Sequence, residues 1–322
     1  MSRRRETGIG PNGILVLAKP AGPTSHDIVA LVRRLSGAQR VGHGGTLDPF
    51  ASGVLPLFLG RATRLAEYHL GDGKSYRATI CFGASSTTDD LEGELSPVAT
   101  APDRAAVEAA LGRFRGTIEQ TPPAYSAIKV AGRRAYALAR AGITPELRPR
   151  TVTIDRAAIV AWDGTDPVRP IATVEVDCSA GTYVRSLARD LGSAVGSAAY
   201  LGALVRTASG PFRLGEAHSV DTLREAASSG PDALAALVLR PDAGLERFGL
   251  VDLTDDEVRA VGRGQFIRPR EALTATPGPD DRFRLVDAEG RLVAIAIWRD
   301  GRLAPEKVLV DAPPAAAPSA DG

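Results

Sequence analysis

The sequence contains little of what several large classes of protein depend on. Its two cysteines, Cys81 and Cys178, lie far apart in apolar, strand-like runs and form no Cys-x-x-Cys pair. The four histidines show no metal-ligand spacing either. We therefore expect buried free thiols and no protein-bound metal.

Long apolar runs and a nucleotide-binding glycine loop are also missing. No stretch approaches the roughly 18 residues that a membrane-spanning helix needs. The basic N-terminus is not followed directly by the apolar segment of a signal peptide. We expect a soluble, cytoplasmic protein that does not associate with membranes, and no cofactor is indicated.

Positive charge is small in total but unevenly distributed. The net charge is +1, which taken alone argues against binding to nucleic acid. Residues 1–64 nevertheless carry nine basic and three acidic side chains, and residues 129–150 carry six basic and one acidic. Residues 246–322 carry eleven basic and fourteen acidic side chains. Clustered cations attract phosphates, whereas the total charge mainly affects solubility. A single basic run is more often solvated surface, so the two clusters favour a nucleic-acid partner only modestly.

Strand-like and helix-like segments interleave along the first 240 residues. Apolar and β-branched residues predict strands at 13–18, 75–82 and 172–178. The connections do not follow a steady strand-helix-strand rhythm. This pattern favours an α+β fold with a mixed, largely antiparallel central sheet and flanking helices.

Two other local signals concern a helix and a loop. Thr24 and Ser25 offer caps for a helix that continues to Leu35, and Tyr183 opens a later helix. Residues 42–53 contain four glycines and a proline. We expect this segment to be a loop with too few apolar residues to join the core.

The length of 322 residues exceeds the usual size of one domain, so two domains are expected. Residues 240–244 have the composition of a boundary, and residues 283–297 are typical of two strands around an Ala-Glu-Gly turn. The predicted organisation is a large domain, a small β-rich domain and a disordered tail, at 1–243, 247–312 and 313–322.

Four residues in three segments can carry chemistry. Asp48 follows two glycines, a setting that is most often only a turn, although glycines also permit close approach to a ligand. Tyr183 and Arg185 stand two residues apart at a strand-to-helix junction. An arginine paired with a carboxylate lowers its pKa and keeps it ionised, as a nucleophile requires, but an ordinary salt bridge uses the same residues. Tyr76 lies on a strand, where a tyrosine more often packs than catalyses.

Taken together and in this order, these segments resemble the TruB family of tRNA pseudouridine synthases. The resemblance covers about residues 12–215, and the small domain resembles the PUA-type RNA-binding module more weakly. With so long and specific a match, a mere turn becomes a poor explanation of Asp48. The matching stretches are GILVLAKPAGPTSHD (13–27), VGHGGTLDPFASGVLPLFLG (41–60), KSYR (74–77), PPAYSAIKVAGR (122–133) and CSAGTYVRSLARDLG (178–192).

The resemblance implies the pseudouridine synthase fold and an isomerase that converts the T-loop uridine at tRNA position 55 to pseudouridine. The target base would be flipped out of its stack to reach the enzyme. No cofactor is implied, because the reaction needs no redox step, phosphate transfer or metal-activated water. The partner is the T arm of tRNA, and we expect a monomer that requires no protein partner.

Four residues match catalytic positions of the family. Asp48 matches the nucleophile and Arg185 its ion-pair partner, with Tyr183 beside them. Tyr76 matches the aromatic residue that stacks on the target base and helps to move a proton.

Other matches concern substrate binding. His43 matches the residue that fills the space left by the extruded nucleotide, and Leu204 matches an apolar wall of the uracil pocket. Lys19 belongs to a Lys-Pro motif that shapes the site from behind. The basic segment 122–150 is expected to clamp RNA phosphates, through side chains that include Lys129 and Arg133.

Four departures from the family and several alternatives remain. Phe50 and Ser52 replace the commoner Leu and Thr. Ala18 stands where the family usually has Asp, and Val205 stands where Arg often precedes Arg206, which puts one hydrogen bond and one phosphate contact in doubt. The chain could instead be an RNA-folding or RNA-binding protein, or a synthase acting on ribosomal RNA. A glycosidase would need a second acid near Asp48, and we interpret Asp89-Asp90 as an acidic pair on a loop. The first covalent step also stays open between attack on the base, attack on the ribose C1′ and a glycal route.

Overall fold

The structure is a computed structural model that describes residues 10–98, 100–126, 129–130, 133–134, 143, 146–270 and 277–310. For 129–130 and 133–134 it describes the backbone alone. The predicted tail 313–322 and the side chains of Lys129 and Arg133 therefore lie outside the described residues. Within those residues, no helix has both the length and the hydropathy required to cross a membrane.

Strands make up most of the regular structure. In chain order they are β1 (Gly13–Lys19), β2 (Val41–His43), β3 (Ser52–Leu59), β4 (Lys74–Phe82), β5 (Ala84–Ser86), β6 (Leu95–Pro97), β7 (Gly116–Gln120), β8 (Lys129–Val130), β9 (Arg133–Arg134), β10 (Arg150–Asp163), β11 (Ile171–Cys178), β12 (Ala199–Ser209), β13 (Phe212–Arg213), β14 (Val238–Leu239), β15 (Gly249–Asp252), β16 (Arg282–Val286), β17 (Leu292–Arg299) and β18 (Arg302–Val308).

Helices flank these strands. They are α1 (Ser25–Ser36), α2 (Ala66–Leu70), α3 (Arg104–Gly112), α4 (Val184–Ala194), α5 (Val220–Ser229), α6 (Pro231–Ala235) and α7 (Asp255–Gly262), with short 3₁₀ turns at Gly60–Leu65 and Leu214–Glu216.

Ten strands of the described chain form one central sheet. Its main path is β14-β1-β3-β12-β4-β11-β10-β7, with β2 paired to β3 and β13 paired to β12. The β12–β3 pair is parallel and the other pairs of this sheet are antiparallel. The predicted α+β fold with a mixed, largely antiparallel sheet is confirmed.

Strand β1 shows how the central sheet is buried on both faces. Successive side chains of a strand point to opposite faces, and here Leu15 and Leu17 enter a core with α1 and α5. Ile14 and Val16 enter a second core against Phe58. The continuous apolar run predicted as a buried strand therefore supplies two cores at once.

Helix α1 begins where the sequence predicts. Thr24 is its N-cap and accepts a hydrogen bond from the Asp27 backbone N–H, while the Asp27 carboxylate accepts one from the Thr24 backbone. Such a capping box contributes about 1 kcal/mol to a helix. It also fixes Ser25, whose hydroxyl reaches the functional site described below.

A separate four-stranded sheet, in the order β15-β16-β17-β18, follows residue 248. The predicted pair of strands around the Ala-Glu-Gly turn is confirmed as β16 and β17. This sheet contacts the first part of the chain through a buried apolar cluster, in which Leu65 packs with Val286 and Ile295, and through polar side chains. Tyr68 Oη donates to Glu306 at 2.7 Å, and Lys307 pairs with Glu67 at 2.7 Å.

Two expectations were wrong. Residues 42–53 do contribute to the core, because Leu47 and Ala51 are buried with 3% and 0% of their surface accessible. Cys178 is buried as predicted, but Cys81 is only half-buried. Leu47 and Ala51 pack against neighbours that are distant in sequence, whereas Cys81 lies on the less buried face of β4.

Candidate functional site

A cavity of about 610 Å³ opens where β4, β12 and the start of α4 meet. Five residues singled out in the sequence line it: Asp48, Tyr76, Tyr183, Arg185 and Leu204. The sheet order explains this convergence. Because β12 lies between β3 and β4, the loop that precedes β3 reaches side chains of both other strands.

The Asp48 loop, residues 45–49, is held through each of its backbone carbonyls. Every donor except one comes from outside the loop's own turn, so the backbone around Asp48 is fixed by distant parts of the chain. Such preorganisation is what a catalytic group needs. In order, the bonds are Arg206 Nη2 to Gly45 O (3.1 Å), Arg206 Nη1 to Thr46 O (3.4 Å), Ser25 Oγ to Leu47 O (3.0 Å), Ala51 N to Asp48 O (3.1 Å), and both Gly22 N (2.8 Å) and Lys19 Nζ (3.2 Å) to Pro49 O.

A buried arginine bridges two carboxylates in the cavity. Arg185 Nη2 lies 3.0 Å from Asp48 Oδ2, and Arg185 Nη1 lies 3.2 Å from Asp90 Oδ2. The Arg185 and Asp90 side chains are 7% and 4% accessible, whereas Asp48 retains 37%. All three residues line the cavity, and Asp48 is the most exposed of them. Arg185 also donates to the carbonyls of Thr88 and Tyr125, which fixes the guanidinium plane.

The charge state of Asp48 results from opposing influences. Burial raises the pKa of the Asp48 carboxyl above its ordinary value, and the charge of Asp90 raises this pKa further. The Arg185 guanidinium lowers it through its charge and its hydrogen bond. The ionised form of Asp48 therefore depends on Arg185 remaining in place.

Two phenols complete the cavity wall. Burial raises the pKa of both Tyr76 and Tyr183, so both are protonated near neutral pH. Tyr183 is the N-cap of α4, and its backbone is held by a reciprocal pair of hydrogen bonds with the Gln120 side chain at 2.8 and 3.0 Å. Both rings are positioned by backbone that cannot move freely.

The chain is similar in sequence to known proteins over most of its length. Residues 33–184 match the family described as TruB family pseudouridylate synthase (N terminal domain). The chain is 41% identical over 301 residues to "tRNA pseudouridine synthase B" of Pseudomonas aeruginosa, covering 92% of this chain and 96% of that protein. It is 42% identical over 299 residues to the protein of the same name from Thermobifida fusca, covering 91% and 97%.

The chain belongs to the TruB family of pseudouridine synthases.

Solved structures support the fold of this TruB family enzyme. The chain is similar to one in "Crystal Structure of a Cbf5-Nop10-Gar1 Complex", with a TM-score of 0.72 and 24% identity over 97% of this chain and 92% of that one. A chain in the "Crystal structure of the archaeal box H/ACA sRNP Nop10-Cbf5 complex" gives a TM-score of 0.71 at 24% identity, over 96% and 90%. At this identity the likeness concerns the fold alone.

Two residues that were predicted to bind substrate in the TruB family enzyme lie beside the cavity and do not line it. Lys19 lies behind the Asp48 loop, where its ammonium donates to the carbonyls of Pro20, Pro23 and Pro49. Burial lowers the pKa of Lys19 to about 8, against the opposing charge of Asp48. His43 ends β2; its Nδ1 accepts from Gly45 N at 3.3 Å, and burial lowers its pKa.

The interpretation of Asp90 as an ordinary loop acid was wrong. Asp90 is 2% accessible, lines the cavity and shares Arg185 with Asp48. Its neighbour Asp89 binds Arg189 at 2.8 Å, one turn further along α4. In sequence the two acids are indistinguishable, so only the tertiary structure assigns them different partners.

Arg206 is the other site residue that sequence reasoning missed. A signal was present, because it follows Leu204 by two positions on β12 and so shares the buried face of that strand. An arginine at a core position is unusual enough to suggest a function. In the part of the chain that the structure describes, no group of three or more potential metal ligands accompanies these residues.

Proposed function

We propose that this synthase converts the T-loop uridine at position 55 of tRNA to pseudouridine, with Asp48 as the nucleophile. The observation that carries the proposal is the Asp48 carboxylate, paired with Arg185 at 3.0 Å and open to a cavity that Tyr76 and Leu204 line. The relatives named tRNA pseudouridine synthase B, which match over nearly their whole length, support tRNA as the substrate.

The reaction is an isomerisation that these side chains suit. The bond from ribose C1′ to N1 breaks with its electron pair moving to the base, a bond from C1′ to C5 forms, and one hydrogen moves from C5 to N1. An ionised carboxylate is needed whether Asp48 attacks the base or C1′, or removes a ribose proton for a glycal route. The ion pair with Arg185 supports that ionised state.

The position of Asp48 supports an extruded base. Because the cavity is enclosed by side chains of the sheet and of α4, a uridine within a stacked stem or loop has to leave its stack to enter. Tyr76 offers the flipped uracil a stacking surface, a contact worth roughly 1–3 kcal/mol. Leu204, with 8% of its surface accessible, provides an apolar wall for it.

Incubation of the purified protein alone with an unmodified tRNA transcript tests the proposal. We expect pseudouridine at position 55 and at no other uridine, and no product from a transcript with cytidine at 55. Modification elsewhere would refute the T-loop assignment. Activity that appears only after addition of a cell extract would refute action without a protein partner.

We further propose that the second sheet, within residues 247–312, is an RNA-binding domain of the PUA type. Three exposed arginines lie next to one another on this sheet. Arg299 and Arg302 are partners across β17 and β18, and the bridge between Ile267 and Leu303 places Arg268 opposite Arg302. Like charges directly opposite are destabilising. Among the described residues, none of the three arginine side chains has an ion-pair or hydrogen-bond partner.

A polyanion would relieve this repulsion. Phe266, 54% accessible, lies two residues before Arg268 on the same segment and offers a base a stacking surface. The cluster is the more notable because residues 246–322 carry more acidic than basic side chains, fourteen against eleven. We propose that this surface holds phosphates of the tRNA at a distance from the modified uridine.

The combined substitution of Arg268, Arg299 and Arg302 by Gln is expected to raise KM for tRNA and leave kcat unchanged. Each lost phosphate contact should reduce the slope of log affinity against log salt by about 1. Filter binding over a range of salt concentrations measures this. The matched control replaces exposed arginines that already have an aspartate partner, Arg224, Arg259 and Arg291. Equal slopes for both triple variants would contradict an RNA-binding role for the surface.

A further inference from the structure

Arg206 is the largest side chain that the described part of the protein buries completely, with 1% of its surface accessible. Burying a charge without a counter-ion costs several kcal/mol or more. Within the described residues, no carboxylate forms an ion pair with Arg206. A buried cation kept at this cost beside the cavity calls for an explanation beyond packing.

Backbone carbonyls satisfy part of its hydrogen-bonding capacity. Arg206 Nε donates to Val54 O at 2.7 Å, and its two terminal nitrogens donate to the carbonyls of Gly45 and Thr46. Gly53 permits this crowding: its φ is +112°, and a Cβ there would lie 2.2 Å from the Arg206 carbonyl oxygen. Strand β12 thus passes close enough to β3 for the Arg206 guanidinium to reach the Asp48 loop.

Tyr76 is the cross-strand neighbour of Arg206. The two residues are partners across β12 and β4, so their side chains lie on the same face of the sheet, and both line the cavity. Burial raises the pKa of Tyr76, and the charge of Arg206 lowers it. Since an arginine cannot accept a hydrogen bond, Arg206 does not compete for the phenol proton, which stays available to the cavity.

The chemistry gives a use for such a phenol. Before the base turns, N1 is the atom bonded to C1′; after it turns, C5 occupies the same place. A single group beside that place can therefore serve both atoms. It can give a proton to N1 as the first bond breaks, and it can take the hydrogen from C5 after the second bond forms.

We propose that Arg206 is a positioning residue for proton transfer by Tyr76, which protonates N1, passes through a phenolate that Arg206 stabilises, and regains its proton from C5. Protons balance over the cycle, because one hydrogen leaves C5 and one arrives at N1. The inference rests on the proposed function, in which Tyr76 faces the flipped uracil.

A double-mutant cycle between Arg206→Lys and Tyr76→Phe tests the inference in single-turnover reactions on tRNA. Arg206→Lys keeps a charge but cannot make the same set of bonds, and we expect it to slow the reaction by about 10- to 100-fold. In the Tyr76→Phe background the same change should cost less than about 3-fold, because the shared step is already lost. Additive effects, or an Arg206→Lys variant as fast as the unchanged protein, would overturn the inference.

An isotope effect separates this role from a purely structural one. In D₂O the exchangeable phenol proton of Tyr76 is replaced by deuterium, and the Arg206→Lys variant should show a larger solvent deuterium effect than the unchanged protein, because transfer of that proton to N1 becomes limiting when the phenolate is less stabilised. If Arg206 only held the Asp48 loop, the variant would slow the step at Asp48, and the solvent deuterium effect would not rise. That result would overturn the inference.

Two further measurements keep the inference testable if a variant does not fold or does not slow the reaction. If Arg206→Lys fails to fold, ¹⁵N spectra of the Arg206 guanidinium can be compared between the unchanged protein and Tyr76→Phe. A changed resonance is expected, and an unchanged one contradicts the proposed interaction. If Tyr76→Phe retains the full rate, the proposed role of Tyr76 itself fails, whereas additive effects with a slow Tyr76→Phe refute only the role of Arg206.

Discussion

Replacement of Asp48 by asparagine is expected to abolish pseudouridine formation, with a loss in single-turnover rate on the order of 10⁴ or more. The amide is nearly the same size, so the cavity keeps its shape, but it cannot act as an ionised nucleophile. Asp48 retains 37% of its side-chain surface, so the change should affect stability far less than activity. Single-turnover product formation and thermal denaturation measure the two effects.

A matched control and a binding measurement sharpen this expectation. Asp221→Asn changes an exposed aspartate that pairs with Arg224, and it should leave activity unchanged. The Asp48→Asn variant should still bind tRNA. Conversion of uridine by Asp48→Asn at a rate close to that of the unchanged protein would show that the nucleophile is misassigned. If neither protein forms pseudouridine and only RNA refolding is seen, the chain acts as an RNA-folding protein.

Replacement of Arg185 by lysine is expected to reduce the rate by about 10²- to 10³-fold. A lysine has no planar pair of nitrogens, so it cannot hold both Asp48 and Asp90 in their present geometry. The pH dependence should change as well. Arg185 lowers the pKa of Asp48 through its charge and its hydrogen bond, and a lysine that cannot keep this hydrogen bond lowers it less, so the acidic limb of the rate profile moves to higher pH.

Replacement of Asp90 by asparagine should move the acidic limb of the rate profile to lower pH, opposite to the shift in the Arg185 variant. The charge of Asp90 raises the pKa of Asp48, so its removal lowers that pKa and extends the ionised state of Asp48 to lower pH. Arg189→Lys is the matched control, because Arg189 lies one turn further along α4 and binds Asp89. It should leave the limb in place. Parallel shifts in the Arg185 and Asp90 variants would refute the electrostatic link to Asp48.

Local patterns predicted the secondary structure where the physical signal is itself local. The capping box at Thr24, the alternating residues of β11 and the turn between β16 and β17 are each decided by a few neighbouring residues. The sequence could not show that Leu47 and Ala51 are core residues. Their burial depends on side chains of the central sheet and of α3 and α4, which lie 30 to more than 100 positions away.

The site was predictable in part, for a similar reason. Asp48, Tyr76, Tyr183, Arg185 and Leu204 were assigned through stretches of sequence that resemble a family, and all five line one cavity. Asp90 was missed because nothing local distinguishes it from Asp89. Arg206 was passed over although its position on the buried face of β12 was a usable signal.

The sequence by itself therefore determined the α+β class, the family and five of the residues that line the cavity. These follow from periodicity, capping and motif, which act over a few positions. Only the tertiary structure decided that one arginine bridges Asp48 and Asp90, and that a second, buried arginine binds the Asp48 loop and lies beside Tyr76 on the neighbouring strand. The physical reason is that charge pairing and desolvation act through space, and the order of strands in a sheet sets which charges meet.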